Sequence, residues 1–389
     1  MRYHVLNVVT GRKTLLAKGV HRVILLPQYK YFGVALYHAS LGRLALANGV
    51  AVATQLTCRK QVELRHNNLL KLGQPKRCFV CPLVRVLSSK LDITMRALLL
   101  KPGKNSCTAY KNIWSGSRSP EKSTRELFYQ LWGKFYPHAD PHFVTEFQKD
   151  LDARFWEMYL TVLIGEKYKV KSASKGPDIQ ILENENTLAW VEAVIATAGD
   201  PVLPDSVPEM QFGTGIGQPT PEDKIILRLT SALKSKLDVH KKYLKNNILT
   251  QDQPFVIAIN GSPIRWMGGS EHRRILKALF PIGEEYVTFD QSTNSLSHSQ
   301  FNYRGVINKE NGAGVPVDSF FNADYELVSG VVYSSKDCCN IPRECGSEIV
   351  YIHNPFAKNP LDKGFFDVGT EFYGEVKGDE CTLKLVEKA

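Results

Sequence analysis

From Glu121 onward the apolar positions fall into clear periods. Ser123–Tyr136 repeats at helical spacing, and a loop with Pro137, Asp140 and Pro141 follows. Asp150-Leu151-Asp152 opens a second helix, with aspartate where a helix start favours it. Its body carries Phe155, Trp156, Tyr159, Leu160, Val162 and Leu163 on a broad apolar face, and Gly165 marks its end. Three strands are predicted next: Lys167–Ala173, Asp178–Glu183 with polar–apolar alternation, and the Val-, Ile- and Trp-containing Leu188–Ala196. After the Pro- and Gly-containing segment Asp200–Pro221, Ile225, Leu229, Leu233 and Leu237 recur every four residues, which predicts a long helix over Glu222–Asn246. Pro254–Asn260 is a continuous apolar run of the buried-strand kind, closed by the turn pair Asn260-Gly261. Beyond it the pattern predicts a helix near Ser270–Leu279, strands at Tyr286–Asp290, Leu327–Tyr333 and Ile349–His353, and strand character over Phe365–Lys388. The fold class expected is mixed α/β. No internal repeat or low-complexity stretch is evident.

Charge divides the chain. Residues 1–120 hold 20 Lys and Arg and two acids, Glu63 and Asp92, a net +18; the remainder holds 29 basic and 37 acidic residues, a net −8. The boundary falls near Ser119–Pro120, so the expected organisation is a basic, acid-poor segment at 1–119 and a globular domain at 120–389. The basic segment fits three readings: an arm drawn to phosphate, a targeting segment, or an extension ahead of a later start such as Met95. Tyr31–Leu56 is apolar but carries His38, Arg43 and Asn48, which argues against a membrane span.

Cys78-Phe-Val-Cys81 is a C-x-x-C pair flanked by Cys58 and Cys107. Four thiolates suit Zn²⁺, but the flanking spacings are long and no second close pair exists, so zinc is not expected. With no secretory signal evident, a cytoplasmic location with reduced cysteines is the expectation.

The stretch GPDIQILENENTLAWVEAV, from Gly176 to Val194, places two acids in strands. Asn184-Glu185-Asn186 is turn-like, because Asn tolerates a left-handed backbone. A hairpin centred on Glu185 sets Glu183 opposite Thr187, Leu182 opposite Leu188, Gln180 opposite Trp190, and Asp178 opposite Glu192. Directly opposed side chains have Cβ atoms about 4.5–5.5 Å apart. Two carboxylates so placed either share a proton, face solvent, pair with a Lys or Arg, or bind a hard divalent cation.

The element order and the acids together resemble the PD-(D/E)xK nuclease superfamily, whose restriction-endonuclease-like core runs helix–strand–strand–strand–helix–strand. Pro177-Asp178 matches its Pro-Asp, Glu192 its second acid, and Glu157 stands where its helix acid does. The resemblance covers about residues 150–260, and the rest of the domain is expected to be a C-terminal β-rich extension. It departs at Val194, where the family has lysine two residues after the acid. The resemblance implies a replacement from another element, with Lys234 and Lys236 on the following helix, or Lys175, as candidates.

What it implies is hydrolysis of phosphodiester bonds, expected in DNA, with Mg²⁺ or Mn²⁺ held by Asp178, Glu192 and the Ala193 carbonyl. Glu157 would ligate a second ion or a water. Lys175, Arg228, Lys241 and Lys242 are candidate phosphate contacts, although a basic helix face is also what a solvated helix presents. A catalytically degenerate nucleic-acid-binding module, or an interaction protein of other kind on the same fold, are the alternatives. The missing lysine favours the first of these and the net −8 favours the second. No membrane partner is expected, and a homodimer is left open.

Overall fold

The computed structural model describes residues 98–172, 175–211, 213, 217–266, 271–291, 294–296, 300–377 and 380–387. Helices α1 (Thr108–Ser115), α2 (Ser119–Phe135), α3 (Phe143–Lys149) and α4 (Leu151–Gly165) come first. Strands β1 (Lys169–Lys171), β2 (Ile179–Glu183) and β3 (Asn186–Ile195) lead to the long helix α5 (Glu222–Lys245), β4 (Phe255–Asn260) and α6 (Glu271–Leu279). Six short strands follow: β5 (Ile282–Tyr286), β6 (Phe289–Asp290), β7 (Ser295–Leu296), β8 (Gln300–Tyr303), β9 (Val306–Asn308) and β10 (Gly314–Pro316). These pair as β5 with β8, β6 with β7 and β9 with β10. The chain closes with β11 (Gly330–Ser334), β12 (Val350–His353), β13 (Thr370–Lys377) and β14 (Glu380–Leu385).

The fold is mixed α/β. One eight-stranded sheet runs in the order β1-β2-β3-β4-β11-β12-β13-β14. β1, β2 and β3 are antiparallel, whereas β3, β4 and β11 run parallel. Thus β11–β14 are not an appendage: they extend the same sheet through β4. Every residue of β4 is buried, as a strand covered on both faces must be. Val256 and Ala258 pack with α1–α4, while Phe255, Ile257 and Ile259 pack with α5 and α6. The sheet is therefore the middle of three layers, each face covered by helices whose apolar stripe points inward.

The packed body begins ahead of the charge junction. Tyr110 and Ile113 of α1 belong to the same core as α2 and α4. Cys107 caps α1, its Sγ accepting from Tyr110 N at 3.4 Å. The other three cysteines of the zinc pattern, Cys58, Cys78 and Cys81, lie outside the described residues. α3 occupies what the sequence suggested was loop, because only Phe143 and Phe147 of it are fully buried, and two residues make too short a period to recognise. The expected strand at Tyr286–Asp290 is instead two, β5 and β6, interrupted at Val287 and Thr288. Among the described residues no helix is long and apolar enough to cross a membrane.

The β2–β3 hairpin differs from expectation at its tip and agrees further along. Asn184 and Glu185 both have positive φ, 48° and 65°, so the turn has two residues rather than three. Glu183 consequently pairs with Asn186, and Leu182 with Thr187, one step from the expected register. A bulge between Ile181 and Leu182 then absorbs one extra residue of β3, and Gln180 meets Trp190 as expected. The last ladder pair is Ile179 with Val191, which leaves Asp178, just ahead of β2, in line with Glu192.

The left-handed Glu185 is the costly position of this turn, since only glycine adopts that backbone freely. Glu185→Gly is expected to raise stability by about 0.5–1 kcal/mol in urea unfolding. A loss of stability would show that the contacts of Glu185 with Lys169 and Lys171 outweigh the backbone term.

Candidate active site

Asp150 caps α4, accepting from Ala153 N at 3.3 Å, and this sets the phase of the helix. Trp156 then points into the core, its indole N–H donating to the Ala258 carbonyl of β4 at 3.0 Å. One residue on, Glu157 reaches the rim, where Arg154 Nη1 donates to it at 2.6 Å. Arg154 also pairs with Glu146 and lies 3.8 Å from Asp140. Neither Arg154 nor this network was foreseen; its only trace in the sequence was the spacing of Arg154 and Glu157 by one helical turn.

Asp178 stands beside the start of β2. Its Oδ2 accepts from the backbone N–H of Ala193 at 2.7 Å, tying the carboxylate to the strand that carries Glu192. Glu192 lies on the face of β3 that packs under α5, where only 5% of its side chain is exposed. Lys236 of α5 meets it, with Nζ 2.6 Å from Oε1. Tyr243, two turns further along the same helix face, sets its hydroxyl 3.0 Å from the Gly176 carbonyl and 3.3 Å from Glu192 Oε2. One hydroxyl proton cannot serve both acceptors. When Glu192 is protonated, its own proton can go to Tyr243 while Tyr243 donates to Gly176.

The two lysines offered by the sequence part ways. Lys236 faces the sheet. Lys234 pairs with Asp238 one helical turn on, at 2.9 Å, and both are about half exposed. Residues two apart on a helix point in different directions, so the leucine stripe that faces Lys236 inward turns Lys234 out. Lys175 is exposed. Among the candidate phosphate contacts, Arg228 donates to the Thr197 carbonyl at 2.8 Å, Lys241 lies 3.2 Å from Asp324, and Lys242 is exposed. Arg228 and Lys241 are thus already engaged by this chain.

A cavity of about 460 Å³ opens on the α4 side, lined by Arg154, Trp156, Glu157, Asp178, Ala193 and Val194 among others. Glu192 and Lys236 do not line it. They stand on the α5 side, and Asp178 lies between the two groups, close enough to act electrically on both Glu157 and Glu192. Val194, two residues after Glu192, forms part of the cavity wall.

These acids share little water and one another's charge. Burial and then Asp178 push Glu157 up to about 7, against the pull of Arg154. Burial and then Asp178 likewise push Glu192 up to about 7, against Lys236 and Tyr243. Asp178 is itself raised by burial, opposed by the Ala193 N–H, Lys236 and Arg154. Such a cluster has unmet capacity for positive charge. Among the described residues no three His, Cys, Asp or Glu side chains converge to hold a metal by themselves. A hard cation that keeps several waters needs fewer protein ligands, and an all-oxygen donor set is what Mg²⁺ and Mn²⁺ take.

Comparison with protein-family models, with curated proteins and with solved structures returned no match to this chain.

Two outcomes follow from the charge balance. Folded Glu157 and Glu192 hold protons up to about pH 7, whereas the unfolded groups release them near 4.5. The folded state thus binds more protons in that window, and stability falls as pH rises from about 4.5 to about 7. Their joint contribution should be on the order of 2–4 kcal/mol, read by urea unfolding without divalent ions, and Glu192→Gln should flatten the slope. A slope unchanged in Glu192→Gln would refute the assignment to Glu192. Separately, Lys236→Met should destabilise the protein at pH 8 by about 1–3 kcal/mol, because it strips a buried carboxylate of its cation. The double variant with Glu192→Gln should recover most of that loss.

Proposed function

We propose that this protein is a divalent-metal-dependent nuclease of the PD-(D/E)xK kind, hydrolysing phosphodiester bonds in DNA. The observation that carries the proposal is Lys236. It stands 2.6 Å from Glu192, so α5 delivers a lysine to the acid whose own strand has Val194 instead. The element order from α4 to β4 matches the order of that family's core and supports the same reading.

Asp178, Glu192 and the Ala193 carbonyl are the proposed ligands of Mg²⁺ or Mn²⁺, and Glu157 would hold a second ion or a water. A bound divalent ion would lower the pKa of its water and offset charge on the phosphate. The chain's own residues do the rest. Lys236 would orient the attacking water and add positive charge near the developing one. Arg154 sits in the cavity wall, where a phosphate would meet a guanidinium able to donate two parallel hydrogen bonds. Trp156 and Val194 give part of that wall an apolar surface.

The test is plasmid cleavage by the full chain with Mg²⁺ or Mn²⁺. Asp178→Ala, Glu192→Ala and Lys236→Ala are each expected to slow cleavage by roughly 100-fold or more, whereas Lys234→Ala stays within about two-fold. Equal cleavage by all variants would mean a contaminant and would end the active-site assignment. Absence of cleavage together with a salt-dependent gel shift would replace the nuclease by a DNA-binding module. In a binding experiment, Mg²⁺ or Mn²⁺ should raise the melting temperature by several degrees at pH 8 and far less at pH 5, where Glu157 and Glu192 are protonated. Asp178→Asn should abolish the difference.

A further inference from the structure

Between β11 and β12 the chain makes a tight turn through Asp337, Cys338, Cys339 and Asn340. The two sulfurs lie 3.9 Å apart, in contact. Their surroundings differ: Cys338 is buried in the core beside α4, and Cys339 is exposed. The turn is held from several sides. Asp337 Oδ1 accepts from Cys339 N at 2.8 Å, Asp337 N donates to Asn340 Oδ1 at 2.8 Å, and Asn260 at the end of β4 donates to the Lys336 carbonyl at 2.9 Å. Both thiols are therefore fixed facing each other, one open to solvent and one behind it.

We infer that Cys338 and Cys339 form a redox site, a vicinal dithiol that hydrogen peroxide converts reversibly to a disulfide within the turn. The division of labour follows from the placement. The exposed sulfur meets the oxidant, and the buried one lies in contact to resolve the product. Charge supports the same roles. The Cys338 S–H and the neighbouring Thr124 hydroxyl stabilise the Cys339 thiolate and bring its pKa down to about 7. The hydrogen bond it donates to Cys339, and burial, hold Cys338 protonated. Cys345, also exposed and six residues on, has its thiol raised by burial and by Glu348, which sets it apart as the slower reactant.

The Cys339 thiolate attacks one peroxide oxygen and the O–O bond breaks, leaving a sulfenic acid at Cys339 and, after protonation, one water. The Cys338 sulfur then attacks the Cys339 sulfur, giving up its proton as the S–O bond breaks and a second water leaves. Two thiols and one peroxide become one disulfide and two waters. Adjacent Cα atoms are about 3.8 Å apart, below the roughly 4.4 Å minimum usual for disulfides. A bridge so strained is easily reduced, which suits a reversible modification rather than a structural link. The site is independent of the proposed nuclease chemistry.

Trypsin releases Asp337–Arg343, a peptide whose only cysteines are these two. The experiment treats the native full chain with near-stoichiometric hydrogen peroxide, blocks remaining thiols with iodoacetamide, and weighs this peptide. The expected result is a species 2 Da lighter than the dithiol, restored by dithiothreitol. In Cys338→Ser the light species disappears and Cys339 is trapped by dimedone as the sulfenic acid. In Cys339→Ser neither product forms. Alkylation of Cys339 at pH 7 should be roughly ten-fold faster than that of Cys345. The proposal fails if peroxide leaves the wild-type peptide as a dithiol while Cys345 reacts. It fails equally if Cys339 passes to the sulfinic acid with no light species.

Discussion

Glu192 is a carboxylate set beneath a helix in an otherwise apolar layer, and much of the surrounding structure answers to that. Around it lie Trp190, Val194 and the leucines of α5. A buried, unpaired charge would cost far more than any single contact of the fold provides. The chain meets the cost three ways. Lys236 supplies a cation, Tyr243 offers a hydroxyl, and the group's own affinity for a proton rises until it is half neutral near pH 7.

That compensation depends on the phase of α5. Ile225, Leu229, Leu233 and Leu237 hold one stripe of the helix against β3 and β4. Lys236 and Tyr243 flank this stripe and are carried to the sheet, while Lys234 is carried to solvent. Asp178 is positioned by a different device, the hydrogen bond from Ala193 across the hairpin. It thereby couples two half-sites on opposite faces: Glu157 and Arg154 on the cavity side, Glu192 and Lys236 under α5. A cation that bound Asp178 would relieve both acids at once, which is why charge, fold and the proposed chemistry converge there.

The middle of the sheet serves a second purpose. β4 presents Asn260 at its end, and that side chain grips the loop leaving β11. The C-terminal strands are thus joined to the candidate site through one central strand, and the dithiol turn is held in place by the same join.

Long periodic segments were legible from the sequence because burial on one face imposes its own spacing. The helices α4 and α5, the strands β2, β3 and β4, their order, and the acids Asp178 and Glu192 could all be named in advance. The pairing Gln180 with Trp190 was also right, although the turn was not: the error at the tip and the bulge are each one residue, and they cancel before the acids are reached. Local pattern could not decide which lysine faces the sheet, since Lys234 and Lys236 look alike until helix phase is known to within a fraction of a turn. Nor could it find Arg154 and Tyr243, whose partners come from elsewhere in the chain, or see that β11–β14 extend the first sheet. Those are outcomes of long-range contact, and sequence spacing carries no information about which distant surfaces will meet.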